Sequence, residues 1–264
     1  SLTVNDITNS GTLDATGGDL TLGATGTLNI GTGSQIANAV NADLSGKVNI
    51  NGGSVFVNTG DNWSGDTTLS SGSLTVSDNT NGGKLNATGG NLTLDSTGTL
   101  NIGAGSAIAG AVKAEINGNV DITNGGSVTL NQGDTLGGTI GLGDGGIFTV
   151  DGIALDASGG KVTQTGGALN INNGAKFTTD NSLTGGTVTV NSSSELELSN
   201  TGNIDITSTI SSADGTSKIT QSGSGTTTYA NDVSSFVGQY VQTDGVAEFS
   251  KAFFGGNSTL ENGT

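Results

Sequence analysis

The chain repeats itself. Residues 1–50 align with residues 73–122 without a gap, and 33 of those 50 positions are identical. Leu13-Asp14-Ala15-Thr16-Gly17-Gly18-Asp19-Leu20-Thr21-Leu22 answers to Leu85-Asn86-Ala87-Thr88-Gly89-Gly90-Asn91-Leu92-Thr93-Leu94, and Gly26-Thr27-Leu28-Asn29-Ile30 to Gly98-Thr99-Leu100-Asn101-Ile102. After one inserted residue the match resumes, from Asn51-Gly52-Gly53-Ser54-Val55 to Asn124-Gly125-Gly126-Ser127-Val128, and a worn third copy starts near Ile147-Phe148-Thr149-Val150. Within each copy, short apolar/polar alternations such as Leu20-Thr21-Leu22 and Val55-Phe56-Val57 are separated by Gly-Gly, Asn-Gly, Thr-Gly or Ser-Gly. Alternation of period two marks strands with one buried face. Gly and Asn supply the positive φ that sharp turns need. Near-identical copies laid end to end suit a solenoid, in which each coil stacks on the last and extends one core. The expected fold is therefore all-β: an elongated parallel β-helix (β-solenoid). Its coils should hold about 20–25 residues, roughly three to a repeat, in a rod of order 60 Å at the usual strand spacing.

Composition narrows the chemistry. His, Cys, Met, Pro and Arg are absent, and 48 of the 264 residues are Gly. Without His or Cys there is no imidazole base, thiolate nucleophile, disulfide or His/Cys metal site. Seven lysines against 23 acidic residues leave a net charge of −16. That charge opposes binding to nucleic acid, which relies on neutralising phosphates, and to anionic membrane surfaces. No stretch approaches the ~20 apolar residues of a membrane span. The chain opens directly on a strand-like Ser1-Leu2-Thr3-Val4, as a segment excised from a longer precursor would.

The expected organisation is two solenoid repeats at 1–72 and 73–146, a degenerate third at 147–200, and C-terminal coils at 201–264. Residues 34–46 and 106–118 are Ala-rich enough to suggest a helix, but flanking Gly and the repeat context favour another coil.

The last segment differs in its aromatics. Six of the ten aromatic residues are Tyr229, Phe236, Tyr240, Phe249, Phe253 and Phe254. A solenoid needs its last coil covered, because an open coil exposes core and unpaired strand edges. These six are the candidate cap, or else an assembly interface. Ser217-Lys218-Ile219-Thr220-Gln221-Ser222-Gly223-Ser224-Gly225-Thr226-Thr227-Thr228-Tyr229 leads on to Ser235-Phe236-Val237-Gly238-Gln239-Tyr240-Val241-Gln242-Thr243-Asp244-Gly245. This stretch resembles the strand repeat associated with autotransporter passenger domains. Asn62-Trp63-Ser64-Gly65-Asp66-Thr67-Thr68-Leu69-Ser70-Ser71-Gly72-Ser73-Leu74-Thr75-Val76 is an earlier echo, with Trp63 where the family usually carries Tyr. The resemblance implies a right-handed β-helix displayed at a bacterial surface or released from it.

Catalytic and metal constellations are sparse. Glu195 and Glu197, two apart on one strand, would share a face about 7 Å apart, and Asp144 with Asp151 is a second carboxylate pair. Either could be read as a glycosidase pair, although outward solvated carboxylates are the simpler reading. Gly141-Leu142-Gly143-Asp144-Gly145-Gly146 approaches a glycine-rich Ca²⁺ repeat but occurs once. Ser has no His to activate it. The chain is thus expected to need no cofactor, with Ca²⁺ as the weak exception, and to be no enzyme. The function expected is an extracellular structural or adhesive rod whose outward Asn, Thr, Ser and Asp ladders meet surface glycans. Two alternatives stand beside it: a self-associating fibre or matrix subunit joined through its terminal coils, and a polysaccharide-active β-helix enzyme.

Overall fold

A computed structural model of the chain describes residues 2–4 (backbone), 14–36, 41–57, 61–76, 79–87, 89, 91–94, 96, 99–103, 106–109, 111, 113–251 and 253–261. Among them the regular elements are all strands, and every pairing is parallel. The parallel β-solenoid is therefore as expected. The Ala-rich stretches hold the strands Gln35–Ile36, Ala42–Leu44, Ala107–Ile108 and Lys113–Ile116; residues 37–40, 110 and 112 lie outside the described residues. Contacts divide the chain into two compact units: residues 1–121, 125–128 and 133–138, and residues 122–124, 129–132 and 139–264.

In the first unit each coil has three faces. The first face carries Leu2–Val4, Leu20–Leu22, Ala42–Leu44 and Asn62–Trp63. The second runs from Thr27–Gly31 through the start of Lys47–Val57 and of Thr67–Val76 to Leu85–Ala87 and Ala107–Ile108. The third runs from Gln35–Ile36 through the ends of those two long strands to Asn91–Leu94, Lys113–Ile116 and Thr135–Leu136. The long strands turn the corner by register shifts at 50–54. Alternation sends apolar side chains inward to stack coil on coil: Leu22 on Leu44 on Trp63, and Ile30 on Ile50 on Leu69 on Ala87, all buried. The Trp63 indole donates to Thr67 Oγ1 at 3.0 Å, which satisfies two buried polar groups at once.

Register partners in this unit lie 18 to 22 residues apart, as in Leu2↔Leu20 and Leu20↔Ala42. The coils thus straddle the low end of the expected length, and the repeat is not a whole number of coils. Leu20–Leu22 lies on the first face, whereas its copy Asn91–Leu94 lies on the third, paired with Ser73–Val76 and Lys113–Ile116. Gly82 N donates to Trp63 O, and Thr80 bridges Thr99, so Thr99–Ile102 continues the first face although its template Thr27–Gly31 is on the second. Seventy-two residues therefore advance the chain three coils and two further faces. Near-identical sequence serves on different faces because each face asks for the same thing: two or three inward aliphatics and a turn. Consequently, deleting residues 20–91, which joins Asp19 to Leu92, should leave a folded solenoid with an unchanged β signature in circular dichroism. Deletion of 20–81 should lower stability sharply, because it joins Asp19 to Gly82 and removes that coil's first-face segment around Thr80.

The second unit repeats the scheme. One face stacks Thr139–Leu142 with Val162–Gln164, and Ile204–Ile206 with Thr226–Tyr229 and Val246–Phe249, bridged through Leu183. The next stacks Ile147–Asp151, Ala168–Asn172, Thr187–Val190 and Thr209–Ser212. The last stacks Ala154–Asp156, Lys176–Thr179, Glu195–Leu198, Lys218–Gln221, Gln239–Gln242 and Ser258–Leu260. Buried asparagines serve corners in both units. Asn81 Nδ2 donates to the carbonyls of Gly83 and Asn101, and Asn200 Nδ2 to those of Gly202 and Thr226. Each ties its own turn to a strand of a neighbouring coil and pairs backbone carbonyls there.

Candidate functional site

The six C-terminal aromatics come together. Tyr229, Phe236 and Tyr240 are fully buried, Phe254 is buried, Phe249 is half-buried and Phe253 is 44% exposed. Tyr229 and Phe249 are register partners on adjacent coils and stack at 4.8 Å. Tyr240 stacks on Phe254 at 4.6 Å, and Phe253 meets Phe249 edge to face at 4.5 Å. Phe236 reaches the group through Phe254. Tyr229 and Tyr240 fill the interior where the coil below holds Ile206 and Ile219. Beside them, on the same strands, is a buried polar cluster: Gln221 Nε2 donates to Asn200 Oδ1, and Thr227 Oγ1 donates to Gln221 Oε1 at 2.6 Å. Burial raises both tyrosine phenols far above their ordinary value, with the neighbouring Tyr240 hydroxyl adding to the effect at Tyr229. Both rings stay neutral.

Glu195 and Glu197 do lie on one outward face, where each meets a lysine. Glu195 is 3.2 Å from Lys218 Nζ and accepts from Thr220; Glu197 is 2.9 Å from Lys176 Nζ and accepts from Thr178 and Ser222. Burial pushes the Glu197 carboxyl up, but its bonds from Lys176, Ser222 and Thr178 outweigh that and hold it below its ordinary range. A carboxyl so held is ionised at neutral pH and poorly suited to donate a proton as a general acid. Asp144 and Asp151 are not brought together by any hydrogen bond, and Asp151 Oδ1 accepts from the Asn173 amide. Among the described residues no group of three or more His, Cys, Asp or Glu could hold a metal ion, and no helix is long and apolar enough to cross a membrane.

A feature that sequence reading missed is a groove at the corner between the second and third faces. In the first unit it is a hollow of about 470 Å³ over Gly33, Gly52, Gly53 and Gly72, edged by Ser34, Gln35, Ser54, Ser73 and Asn91. In the second unit, turns that lead into the face of Lys176–Thr179, Glu195–Leu198 and Gln239–Gln242 form a hollow of about 260 Å³ among Asn172, Asn173, Asn191 and Ser192, and another of about 470 Å³ bordered by Val237, Gln239 and Asn257. All three linings are uncharged, in a chain of net charge −16. The corner is low because it is trimmed to backbone. A Cβ on Gly72 would stand 2.1 Å from Gly53 O, so the coils can stack there only without side chains. The sequence signal was present in the Gly/Asn/Ser triplets after each second-face strand, but only the register shows that they share one corner.

Exposed aspartates cap neighbouring turns. Asp14, Asp156, Asp214 and Asp232 accept from the backbone N–H of Thr16, Ser158, Thr216 and Ser234. These bonds, with side-chain bonds from the same residues and, at Asp214, first of all from Ser192, hold all four carboxyls below their ordinary value. A depressed folded pKa means that stability is fully present above the unfolded value, near pH 4, and is lost as pH falls through the folded values. Thermal melts in 0.5–1 M salt, which screens overall repulsion, should therefore show a flat Tm from pH 7 to about 5 and a decline below pH 4. A rising Tm in that acid range would contradict the turn assignment.

The chain matches no protein-family model and no curated protein sequence. One solved structure is similar, the crystal structure of the TibC-catalysed hyper-glycosylated TibA55-350 fragment. It shares 15% identity at a TM-score of 0.41, with 98% of this chain and 93% of that chain covered. So loose a likeness carries no functional argument, and the solenoid assignment rests on the strand pairing itself.

Proposed function

We propose that the chain is a structural and adhesive β-solenoid of a bacterial surface, working outside the cell by repeated weak contact with glycans. The observation that carries this reading is the outward face. Coil after coil presents neutral polar ladders, such as Asn49 on Asn29 at 3.0 Å and Ser71 on Asn51 at 2.8 Å, and every groove described is uncharged. Multivalent presentation turns weak single contacts into useful avidity. The six aromatics are assigned as an internal cap of the C-terminal coils, because four of them are buried against each other. No cofactor or Ca²⁺ is assigned, and no hydrolytic activity: both candidate glutamates are occupied by lysines and hydroxyls.

The test is adhesion of beads coated with the folded chain to glycan-coated and cell-coated surfaces, beside beads coated with heat-unfolded chain and with EDTA present or absent. Retention that needs the folded chain and survives EDTA is expected. Failure to adhere, with uniform filaments growing with concentration in electron micrographs, would replace this reading by the fibre subunit. Release of reducing sugar would replace it by the enzyme.

A further inference from the structure

The first-unit groove has a second feature beside it. Phe56 is the exposed large hydrophobic side chain of that unit's described residues, 37% accessible between the buried Val55 and Val57. It points outward from the same strand as Ser54, two residues on and so about 7 Å along the same face. Gln35, Ser54, Ser73 and Asn91 are successive register partners, so they form one polar row across four coils at the groove's edge. Phe56 lies in the adjacent row, which continues into Thr75 and Thr93. Asp14 bonds the Gln35 side chain and fixes the end of the polar row. Two amides and two hydroxyls thus border a hollow of about 470 Å³, within the range of small-ligand sites, and Phe56 stands beyond its edge, about 7 Å from Ser54 on the same strand face.

We infer that this corner is a binding site for a neutral oligosaccharide lying across the coils, with Phe56 as its stacking platform. A sugar ring has an apolar face, which an exposed aromatic ring covers, and hydroxyl edges that amide and hydroxyl side chains both donate to and accept from. An anionic ligand would meet no cationic side chain in the lining of the hollow, and Lys113, next in the row after Asn91, is already paired with Glu115. An extended peptide adding as a strand needs an open sheet edge, whereas Ser54–Val55 and Ser73–Val76 are paired on both sides. The row spacing equals the coil spacing, about 4.8 Å, so a regular linear glycan meets one polar side chain per coil.

This inference rests on the glycan-contact reading above and narrows it to one site. The experiment is titration of the full chain with neutral oligosaccharides of glucose, mannose, galactose and N-acetylglucosamine, beside a sialylated oligosaccharide and an extended neutral peptide, followed by calorimetry and saturation-transfer NMR. At least one neutral oligosaccharide should bind. Phe56→Ala should weaken it about tenfold, the worth of one stacked aromatic contact, and Phe56→Trp should retain it. Asn91→Ala should weaken it several-fold. Because Phe56 is outside the core, circular dichroism should be unchanged in each variant. Neutral sugar bound equally by wild type and Phe56→Ala would overturn the site while leaving the adhesive reading standing. Preference for the sialylated sugar or the peptide would overturn the ligand class. No binding to any probe, with glycan-coated beads also failing to adhere, would remove both readings together.

Discussion

Tyr229→Phe is expected to stabilise the C-terminal coils, whereas Tyr229→Ala is expected to destabilise them by about 3–5 kcal/mol. The hydroxyl of Tyr229 is buried and makes no hydrogen bond of ordinary geometry, with only the Tyr240 hydroxyl acting on it, and so poorly paired a group costs up to about 1–3 kcal/mol. Its ring, by contrast, is stacked on Phe249 and edged by Tyr240 and Phe254. Removing the oxygen relieves the penalty and leaves the packing; removing the ring opens a cavity amid three aromatic neighbours. Tyr240→Phe is the internal comparison. The Tyr240 hydroxyl donates to Gln242 Oε1 at 3.3 Å, so its loss should be neutral or mildly destabilising. A solenoid loses stability coil by coil, not all at once, so the proper readout is amide hydrogen exchange in Thr226–Tyr229 and Gln239–Gln242. Slower exchange in Tyr229→Phe, faster in Tyr229→Ala and little change in Tyr240→Phe is the expected pattern. Faster exchange in Tyr229→Phe would show that the hydroxyl has a partner after all.

A graded response is expected from three glycines in the second unit. Gly186→Ala should be severe, several kcal/mol, because φ is +59° and a Cβ would stand 2.0 Å from Gly167 O on the coil below. That contact is with backbone, so relief requires the coils to part, and the Thr187 to Gly167 hydrogen bond of 2.9 Å beside it would be strained. Gly159→Ala should cost about 1–2 kcal/mol: its φ of +76° disfavours a side chain, yet nothing lies within 4 Å of the added carbon. Gly202→Ala, with ordinary φ and open space, should be near neutral. Urea melts of the three variants order these effects. A Gly186→Ala protein as stable as Gly159→Ala would mean that the coils are spaced more widely than the strand pairing indicates.

Both experiments probe what the solenoid depends on, which is close coil stacking and a filled interior. Adhesion and glycan binding probe its outside. The two are separable because alternation gives inward and outward side chains independent jobs: Val55 and Val57 hold the core while Phe56 between them is offered to solvent.

The fold was largely legible in the sequence. Period-two alternation and the 72-residue repeat carry the strands, the parallel solenoid and the buried face, since a strand's inward set is fixed by local pattern alone. Leu20, Leu22, Leu28 and Ile30 are all buried where that pattern places them. The six aromatics were legible as a group because they cluster in the chain as well as in space. The phase of the repeat against the coil was not legible. It depends on how many residues each turn takes, and turns of Gly, Asn and Ser vary by one or two residues at little energetic cost. That count decides which face Asn91–Leu94 occupies. The corner groove was hidden for the same reason. Gln35, Ser54, Ser73 and Asn91 are 18 or 19 residues apart along the chain and become one row only when the register is set. Local pattern thus determined which side chains turn inward, and only the stacking of coils decided which outward ones became neighbours.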